Sequence, residues 1–564
     1  MPAHRYERVL DRVPGGLADR QWPSGAIHHA PLWASVDMRD GNQALATPMD
    51  SARKGRMFDL LVGLGFKEIE VGYPAASEAE FSFVQDLIRQ DRVPDDVTIV
   101  VFTPARPELI ERTFQAVRGA RRAVVHLCLA TACLWRDVVF HMSADELSAY
   151  TRSAAEQVAR LADGMHGSQL RYEFSPETFN VTEPEYALEV SNMVIRTWDA
   201  SPDRPVTLNL PTTVETDTPN VFADQVEWMH RNVDRRGSVI LSVHPHNDRG
   251  TAVASTELAL MAGADRVEGT LFGNGERTGN VCLATLALNL FSHGVDPQLD
   301  FSDIDAVRRT VEECNRMPVP PRHPYAGDLV YTAFSGTHQD AIGKGLAQLD
   351  EQARTAGTGP TAQPWQVPYL PIDPKDVGRT YESVVRVNSQ SGKGGIAQVL
   401  KEHHGLDLPR PLRIEFARTV QTIADRTGVE LTSRDLWEAF TEHYLEPAPW
   451  LLLKELHEDR SASGDAVVRL VLVDGDGREL QLSGSGRDTA HATAAALGTA
   501  GHAVTLHDHS AHPLPDGQAP RTAAYARLTH EGDEAHGAAI HQSPATATAT
   551  AILNAINRTR TRTA

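Results

Sequence analysis

The strongest constraint on the fold is a regular alternation that begins at Leu32. Short runs rich in β-branched residues are each followed by an amphipathic segment of helical period. The predicted strands are Leu32–Val36, Lys67–Val71, Val97–Phe102, Ala123–Leu129, Leu170–Phe174, Val206–Leu210, Ser238–Val243 and Arg266–Leu271. Eight such β-α units in about 250 residues are typical of a (β/α)8 barrel, also known as a TIM barrel.

A doubly wound open sheet is the alternative arrangement for alternating strands and helices. Dinucleotide-binding sheets of that kind carry a G-x-G-x-x-G turn directly after the first strand. Here the first predicted strand leads instead into Asp37-Met-Arg-Asp-Gly-Asn-Gln43. The closed barrel is therefore the predicted fold.

The alternation stops near Asp328, well before the end of the 564-residue chain. Glycine and proline dominate Thr355 to Tyr369, helical patterns follow at Ile414–Arg426 and Ser433–Tyr444, and a new α+β pattern begins after Pro449. That pattern contains a weak duplication, with predicted strands at Val467–Val473, Glu479–Leu482, Ala503–Leu506, Ala524–Thr529 and Ala538–His541 and predicted helices at Asp488–Thr499 and Ala545–Ile556. We predict an N-terminal arm (1–30), a catalytic barrel (31–327), helical linker subdomains (328–449) and a C-terminal α+β regulatory domain (450–564).

Charge and cysteine content narrow the class of protein. A net charge of −20 argues against nucleic acid or an anionic membrane as partner. The four cysteines have no C-x-x-C spacing, which is typical of reduced thiols, and no run of about 18 apolar residues occurs. We expect a cytoplasmic enzyme that binds neither nucleic acid nor membrane.

Two histidines, His244 and His246, directly follow the seventh predicted strand. On extended backbone, side chains at i and i+2 point to the same face, so both imidazoles can reach one cation. Alone, such a pair is as often structural as metal-binding. Asp40 follows the first strand. In a closed barrel, the eighth strand alone lies between the first and the seventh. These three residues predict a divalent metal site, to which Asn280 could add an amide oxygen; Mg, Mn and Zn all suit this donor set.

Further polar residues lie at strand ends, where the active site of a (β/α)8 barrel is found. Arg39, beside Asp40, is placed to stabilise negative charge on a substrate carbonyl. Glu177 is either an acid–base group or a salt-bridge partner, while His338 lies beyond the barrel, where a lone histidine is more often structural. The remaining candidates on the fourth, fifth and sixth strands are His126, Ser175 and Asn209.

Several long motifs resemble 2-isopropylmalate synthase in its longer bacterial form. They include V-D-M-R-D-G-N-Q-A-L, V-H-P-H-N-D-R-G-T-A-V-A, G-N-G-E-R-T-G-N-V-C-L and W-Q-V-P-Y-L-P-I-D-P-K-D-V-G-R-T-Y. The resemblance extends from about Leu32 to Glu446 and more weakly to the end. It implies a homodimeric acyltransferase that condenses acetyl-CoA with a 2-oxo acid, normally 2-oxoisovalerate, and hydrolyses the thioester to give 2-isopropylmalate, the first committed step of leucine biosynthesis.

The resemblance also implies residue roles. Asp40, His244 and His246 match the metal ligands, with Asn280 nearby. Arg39 would assist at the keto oxygen and Thr213 would bind the substrate carboxylate. The base that removes a methyl proton from acetyl-CoA would be Glu177 or His338, with Tyr369 beside His338, and the partner subunit's linker would supply the last two.

Three positions near the keto-acid side chain depart from the family pattern. Cys128 and Leu129 replace a Tyr and an Asn after His126, and Phe102 replaces a residue that is usually Leu. One or two methylenes in such a pocket are worth about 1–3 kcal/mol. The alternative prediction is therefore the same chemistry on a different, apolar 2-oxo acid. A metal-dependent aldolase or lyase of the same barrel superfamily, or a non-catalytic binding protein, is a more distant alternative.

The C-terminal region departs as well. Asp508-His-Ser-Ala-His512 and Gly537-Ala-Ala-Ile540 replace segments that help to form the family's leucine site. A Cβ in place of glycine can block close approach of a backbone. We therefore expect leucine feedback to be weakened or lost.

Overall fold

The computed structural model describes residues 11–333, 335–381, 404–427, 433–514 and 520–561, together with 5, 9, 397, 400 and 401. The chain divides into two compact units. The first comprises Met1–Val330 and Ile372–Thr380, and the second comprises Tyr331–Pro371 and Tyr381–Ala564.

The first unit contains a closed barrel of eight parallel strands in chain order. The strands are β1 (Leu32–Ser35), β2 (Glu68–Gly72), β3 (Thr98–Pro104), β4 (Arg122–Ala130), β5 (Gln169–Glu177), β6 (Val206–Thr212), β7 (Val239–Pro245) and β8 (Arg266–Gly269). The predicted (β/α)8 barrel is confirmed. The last strand ends earlier than predicted because the Leu271 N–H donates to the Asp37 carboxylate instead of to a neighbouring strand.

Helices alternate with these strands and form the outer layer. They are α1 (Ser51–Leu64), α2 (Glu78–Arg89), α3 (Pro107–Ala116), α4 (Ala144–Asp163), α5 (Pro184–Thr197), α6 (Pro219–Asn232), α7 (Ala252–Met261), α8 (Leu283–Ser292) and α9 (Ile304–Asn315). Side chains cap several N-termini, including Asp50 before α1 and Ser77 before α2. Ser143 forms a full capping box with Glu146 at the start of α4.

The second unit begins with helices α10 (Gly336–Ala356), α11 (Arg410–Thr427) and α12 (Ser433–Phe440). Two three-stranded antiparallel sheets follow, each succeeded by a helix. The first half contains β9 (Leu451–Arg460), β10 (Ala466–Asp474), β11 (Glu479–Gly486) and α13 (Thr489–Thr499), and the second contains β12 (Val504–Leu514), β13 (Arg521–His530), β14 (Asp533–His541) and α14 (Pro544–Thr561). The predicted α+β region is thus present, with its duplication.

Two features of this unit were not apparent from the sequence. Strand β9 is an edge strand whose residues are mostly exposed, so its sequence Leu-Leu-Leu-Lys-Glu-Leu-His-Glu-Asp-Arg lacks a regular apolar alternation. Strand β12 continues to Leu514 past a register shift between Leu506 and Asp508, which places the histidine-rich stretch in a strand. Among the described residues, no helix is long and apolar enough to cross a membrane.

Candidate active site

Asp40, His244 and His246 converge at the carboxyl end of the barrel strands. Asp40 lies in a short π-helical turn, Asp37–Gly41, that follows β1, and the two histidines come from the end of β7 and the residue after it. The Nε2 atoms of His244 and His246 are 3.6 Å and 3.8 Å from the same oxygen, Asp40 Oδ2. All three side chains are buried.

This donor set fits a divalent cation. Ligand atoms held about 2.1 Å from one ion at roughly 90–120° lie about 3.0–3.7 Å apart, which is close to the observed separations. Burial opposes ionisation of Asp40, but Arg39 and the two histidines hold the pKa of its carboxyl well below the ordinary value. Burial and the neighbouring His244 lower the pKa of His246 to about 4, so its imidazole is neutral. For His244, burial is outweighed by the bonds to Asp40 and Glu268, which raise its pKa to about 9, so His244 must release a proton when it binds a metal.

Asn280 reaches the same carboxylate with its amide nitrogen. Its Nδ2 donates to Asp40 Oδ2 at 2.8 Å and to the Asn274 carbonyl at 3.1 Å. Its amide oxygen is buried and has no hydrogen-bond partner within the described part of the chain. In this arrangement, Asn280 holds the candidate ligand Asp40 in position, whereas its predicted role as an oxygen donor requires the amide to turn.

A closed ring of seven hydrogen bonds and one ion pair, between His244 and Asp40, connects the candidate ligands to the rest of the barrel mouth. We name it the mouth ring, and it runs through Asp40, Arg39, Glu70, His126, Ser175, Asn209, Glu268 and His244. Every barrel strand except β3 contributes to it, directly or through the turn after β1. The predicted substrate-binding residues on β4, β5 and β6 are therefore brought together with the metal-ligand cluster.

Two carboxylates hold opposite sides of the mouth ring. Glu70 accepts from Arg39 Nε at 2.6 Å and contacts His126 Nδ1 at 2.8 Å. Glu268 Oε2 contacts His244 Nδ1 at 2.8 Å and accepts from Asn209 Nδ2 at 2.9 Å. Because Nδ1 of His244 is engaged by Glu268, Nε2 is the nitrogen available to a metal.

Sequence reasoning missed these carboxylates and the guanidinium beside them. Arg266 is fully buried and pairs with Glu68, Glu173 and Glu268. A signal was present in the sequence: charged residues occupy alternate positions inside strands that read as buried, in Glu68-Ile-Glu70 and in Arg266-Val-Glu268. A charge in such a position is stable only if it is paired inside the barrel.

Glu177 lies at the end of β5, half-buried. Its Oε2 is 3.7 Å from Cys128 Sγ, which is the donor. Burial raises the pKa of Glu177 above its ordinary value, although Cys128 and Arg39 oppose the shift. Thr213 directly follows β6, and its hydroxyl accepts the N–H of Thr178, the residue after Glu177, at 2.8 Å.

The predicted specificity positions divide between two faces of the barrel wall. Phe102 packs edge-on to His126 at 5.4 Å between ring centroids, and the Arg39 guanidinium lies 4.7 Å above the Phe102 ring. Cys128 is two residues after His126 on β4 and shares its face. Leu129 is adjacent to Cys128 and therefore points to the opposite face of the strand.

His338 and Tyr369 belong to the second unit. Their rings stack with centroids 4.0 Å apart and an angle of 18° between the ring planes. Tyr369 is 57% exposed and has a φ of +72°, a strained conformation for a residue with a side chain. The structure thus brings these two predicted residues together.

Comparison with known proteins identifies the family. Three family models match successive parts of the chain: HMGL-like (residues 30–311), alpha-isopropylmalate synthase post-catalytic domain-like (328–401) and LeuA allosteric (dimerisation) domain (430–560). The 2-isopropylmalate synthase of Mycobacterium ulcerans (strain Agy99) is 52% identical over 99% of this chain and 100% of its own length. That of Thermobifida fusca (strain YX) is 52% identical over 99% and 98%, and that of Nocardia farcinica (strain IFM 10152) is 59% identical over 79% and 77%.

The chain belongs to the 2-isopropylmalate synthase family. The predicted family, fold and enzyme class are confirmed: 2-isopropylmalate synthases are acyltransferases that use acetyl-CoA and a 2-oxo acid. The comparisons favour this function over an aldolase or lyase. The match to a LeuA dimerisation domain indicates that 2-isopropylmalate synthase chains of this form associate through their C-terminal regions.

Proposed function

We propose that this chain condenses acetyl-CoA with 2-oxoisovalerate and hydrolyses the thioester to 2-isopropylmalate. The observation that carries the proposal is the meeting of Arg39 with Asp40, His244 and His246 at one buried barrel mouth, in a chain whose full-length relatives are 2-isopropylmalate synthases. The metal ligands, the base and the keto-acid pocket are part of the same proposal.

Asp40, His244 and His246 would hold the divalent ion, with Asn280 steadying Asp40. When bound, such an ion supplies Lewis-acid polarisation of the keto carbonyl. One carboxylate and two imidazoles accommodate Mg, Mn or Zn, so the donor set supports a divalent metal without selecting one.

Arg39 orients the keto acid and stabilises negative charge on its oxygen. Burial alone would lower the pKa of this guanidinium, but Glu70 and Asp40 hold it above the ordinary value, so Arg39 stays charged. Their two bonds, 2.6 Å and 2.8 Å long, also fix the direction of the side chain. A preorganised donor of this kind contributes most where charge develops in the transition state.

Glu177 is the proposed base that takes a methyl proton from acetyl-CoA. Its raised pKa improves the match to a weakly acidic carbon. His338, stacked on Tyr369, is the alternative base and would come from the partner subunit. Thr213 would donate its hydroxyl proton to the substrate carboxylate while its oxygen still accepts the Thr178 N–H.

Phe102 and Cys128 shape the keto-acid pocket, because both share a face of the wall with His126. Leu129 would act on this pocket only through the position of β4. The alternative substrate, a different apolar 2-oxo acid, rests on the replacement of Tyr by Cys128 and of Leu by Phe102.

A panel of 2-oxo acids tests the proposal. Release of free thiol from acetyl-CoA is measured with pyruvate, 2-oxobutyrate, 2-oxoisovalerate and 4-methyl-2-oxopentanoate. We expect the highest kcat/KM with 2-oxoisovalerate, by about tenfold or more over acids that differ by one methylene, and no release after chelation or in Asp40→Asn. A preference for the bulkier acid would establish the alternative substrate. No release with any acid would refute the proposal.

A further inference from the structure

A second cluster of metal-binding side chains lies in the second unit, within the C-terminal duplication. It consists of Asp488, His491 and His509, whose ligand atoms all lie within 4.8 Å of one another. His491 Nδ1 is 2.7 Å from Asp488 Oδ1, and His509 Nε2 is 3.5 Å from Asp488 Oδ2. The donor set, one carboxylate and two imidazoles, is the same as that of the candidate active site.

The three residues come from both halves of the duplication. Asp488 is the N-cap of α13 and accepts the His491 N–H at 2.9 Å, which fixes the aspartate and the histidine one helical turn apart. His509 lies on β12, beyond the register shift that follows Leu506. The imidazole rings of His491 and His509 lie 5.7 Å apart at 78°, and their nitrogens contact different oxygens of the Asp488 carboxylate.

The surroundings suit a cation. Between 31% and 37% of each side chain is exposed, which leaves room for water to complete a coordination shell. Burial opposes ionisation, but the bonds to His491 hold the pKa of Asp488 below its ordinary value, so the carboxylate is charged. Arg487 is the one other cation recorded near this carboxylate among the described residues, at 3.6 Å, and its side chain is 75% exposed and can turn into solvent.

We propose that Asp488, His491 and His509 bind a divalent transition-metal ion, with water at the open positions. Imidazole suits Zn²⁺, Ni²⁺ and Cu²⁺, and Zn²⁺ is also one of the ions that the same donor set can hold at the barrel mouth. The ion would join α13 of the first half to β12 of the second. Because the site exists only in the folded unit, binding stabilises that fold.

Counting bound zinc in the full-length protein tests this site separately from the active site. After removal of metal with a chelator, wild type is expected to bind two Zn²⁺ per chain. His509→Ala and Asp40→Asn should each bind one, and the Asp40→Asn/His509→Ala double variant none. His507→Ala is the matched control, since this neighbouring histidine of β12 bonds Thr529 instead of the cluster, and it should bind two.

Thermal unfolding distinguishes loss of the zinc site from misfolding of a variant. Metal-free His509→Ala and His491→Ala should melt within a few degrees of metal-free wild type. Added Zn²⁺ should raise the melting temperature of Asp40→Asn but not that of the double variant, and His491→Ala should weaken zinc binding at this site by about tenfold or more. Unchanged zinc stoichiometry in His509→Ala, or no zinc bound by Asp40→Asn, would overturn the proposal.

Discussion

At the scale of single residues, Glu268 decides which nitrogen of His244 faces Asp40. Its carboxylate contacts His244 Nδ1 at 2.8 Å and is itself held by Arg266 and Asn209. A carboxylate behind a metal-binding imidazole fixes the ring and raises its basicity. Glu268 is therefore a positioning residue for the proposed metal site, although it belongs to the barrel interior.

Glu268→Gln should weaken divalent-metal binding at the barrel mouth by about tenfold or more, because the neutral amide cannot support His244 as a carboxylate does. The measurement is the metal concentration that gives half-maximal thiol release. We expect KM for acetyl-CoA to stay near the wild-type value. Glu185→Gln, on the exposed face of α5, is the control. An unchanged metal requirement in Glu268→Gln would show that His244 needs no such support.

At the same scale, the sequence pattern predicted some residues of the barrel mouth and missed others. Spacing along one strand brought His244 and His246 to one face, and the order of strands brought Asp40 to them. Glu70 and Glu268 escaped prediction because a charge within an apolar strand acquires its partners only when the barrel closes. Glu268 pairs with Arg266, two residues before it on β8, and with His244, on the neighbouring strand β7.

At the scale of elements, close contact between strand and helix organises both halves of the C-terminal region. A Cβ added at Gly537 on β14 would lie 2.2 Å from the Ala551 carbonyl oxygen and 2.4 Å from the Ala555 nitrogen. A Cβ added at Gly484 on β11 would likewise lie 2.4 Å from the Ala492 carbonyl oxygen and 2.3 Å from the Ala496 nitrogen of α13. These neighbours are helix backbone, which cannot move aside as a flexible side chain can.

Gly537→Ala should therefore destabilise the C-terminal region by about 1–3 kcal/mol, as overpacking of a closed interface does. Gly498→Ala is the matched control, because a Cβ there has no atom within 4 Å and alanine suits the helix better than glycine. Thermal unfolding of the full-length variants provides the comparison. Equal melting temperatures for Gly537→Ala and wild type would mean that β14 and α14 separate more easily than their spacing indicates.

At the scale of the whole molecule, we propose that residues of two chains form each active site. The barrel holds Asp40 and Glu177, whereas His338 and Tyr369 belong to the second unit, and the family's dimerisation domain matches residues 430–560. In a symmetric dimer, two such sites would each combine the barrel of one chain with the linker of the other. The expected loss of leucine feedback stays a prediction at this scale.

Complementation tests the shared site. Asp40→Asn and His338→Ala homodimers should each have little activity. After the two are mixed and allowed to exchange subunits, heterodimers would contain one intact site, and an equal mixture should recover about a quarter of wild-type activity from statistical pairing. Mixing Asp40→Asn with His244→Ala is the control, because both barrels of such a heterodimer are damaged and no intact site can form. No recovery in the first mixture would place each site within one chain.

The sequence by itself determined the barrel, the family and the meeting of Asp40, His244 and His246, because strand period, strand order and long contiguous motifs can be read along the chain. It also indicated the duplicated α+β region, although edge strand β9 and the length of β12 escaped because exposed strands need no apolar alternation. Only the tertiary structure decided the mouth ring, the buried Arg266 cluster and the meeting of Asp488 with His491 and His509. Most of those contacts join residues on different strands or in different halves of the duplication, and they are set by barrel closure and by the packing of one half of the duplication on the other.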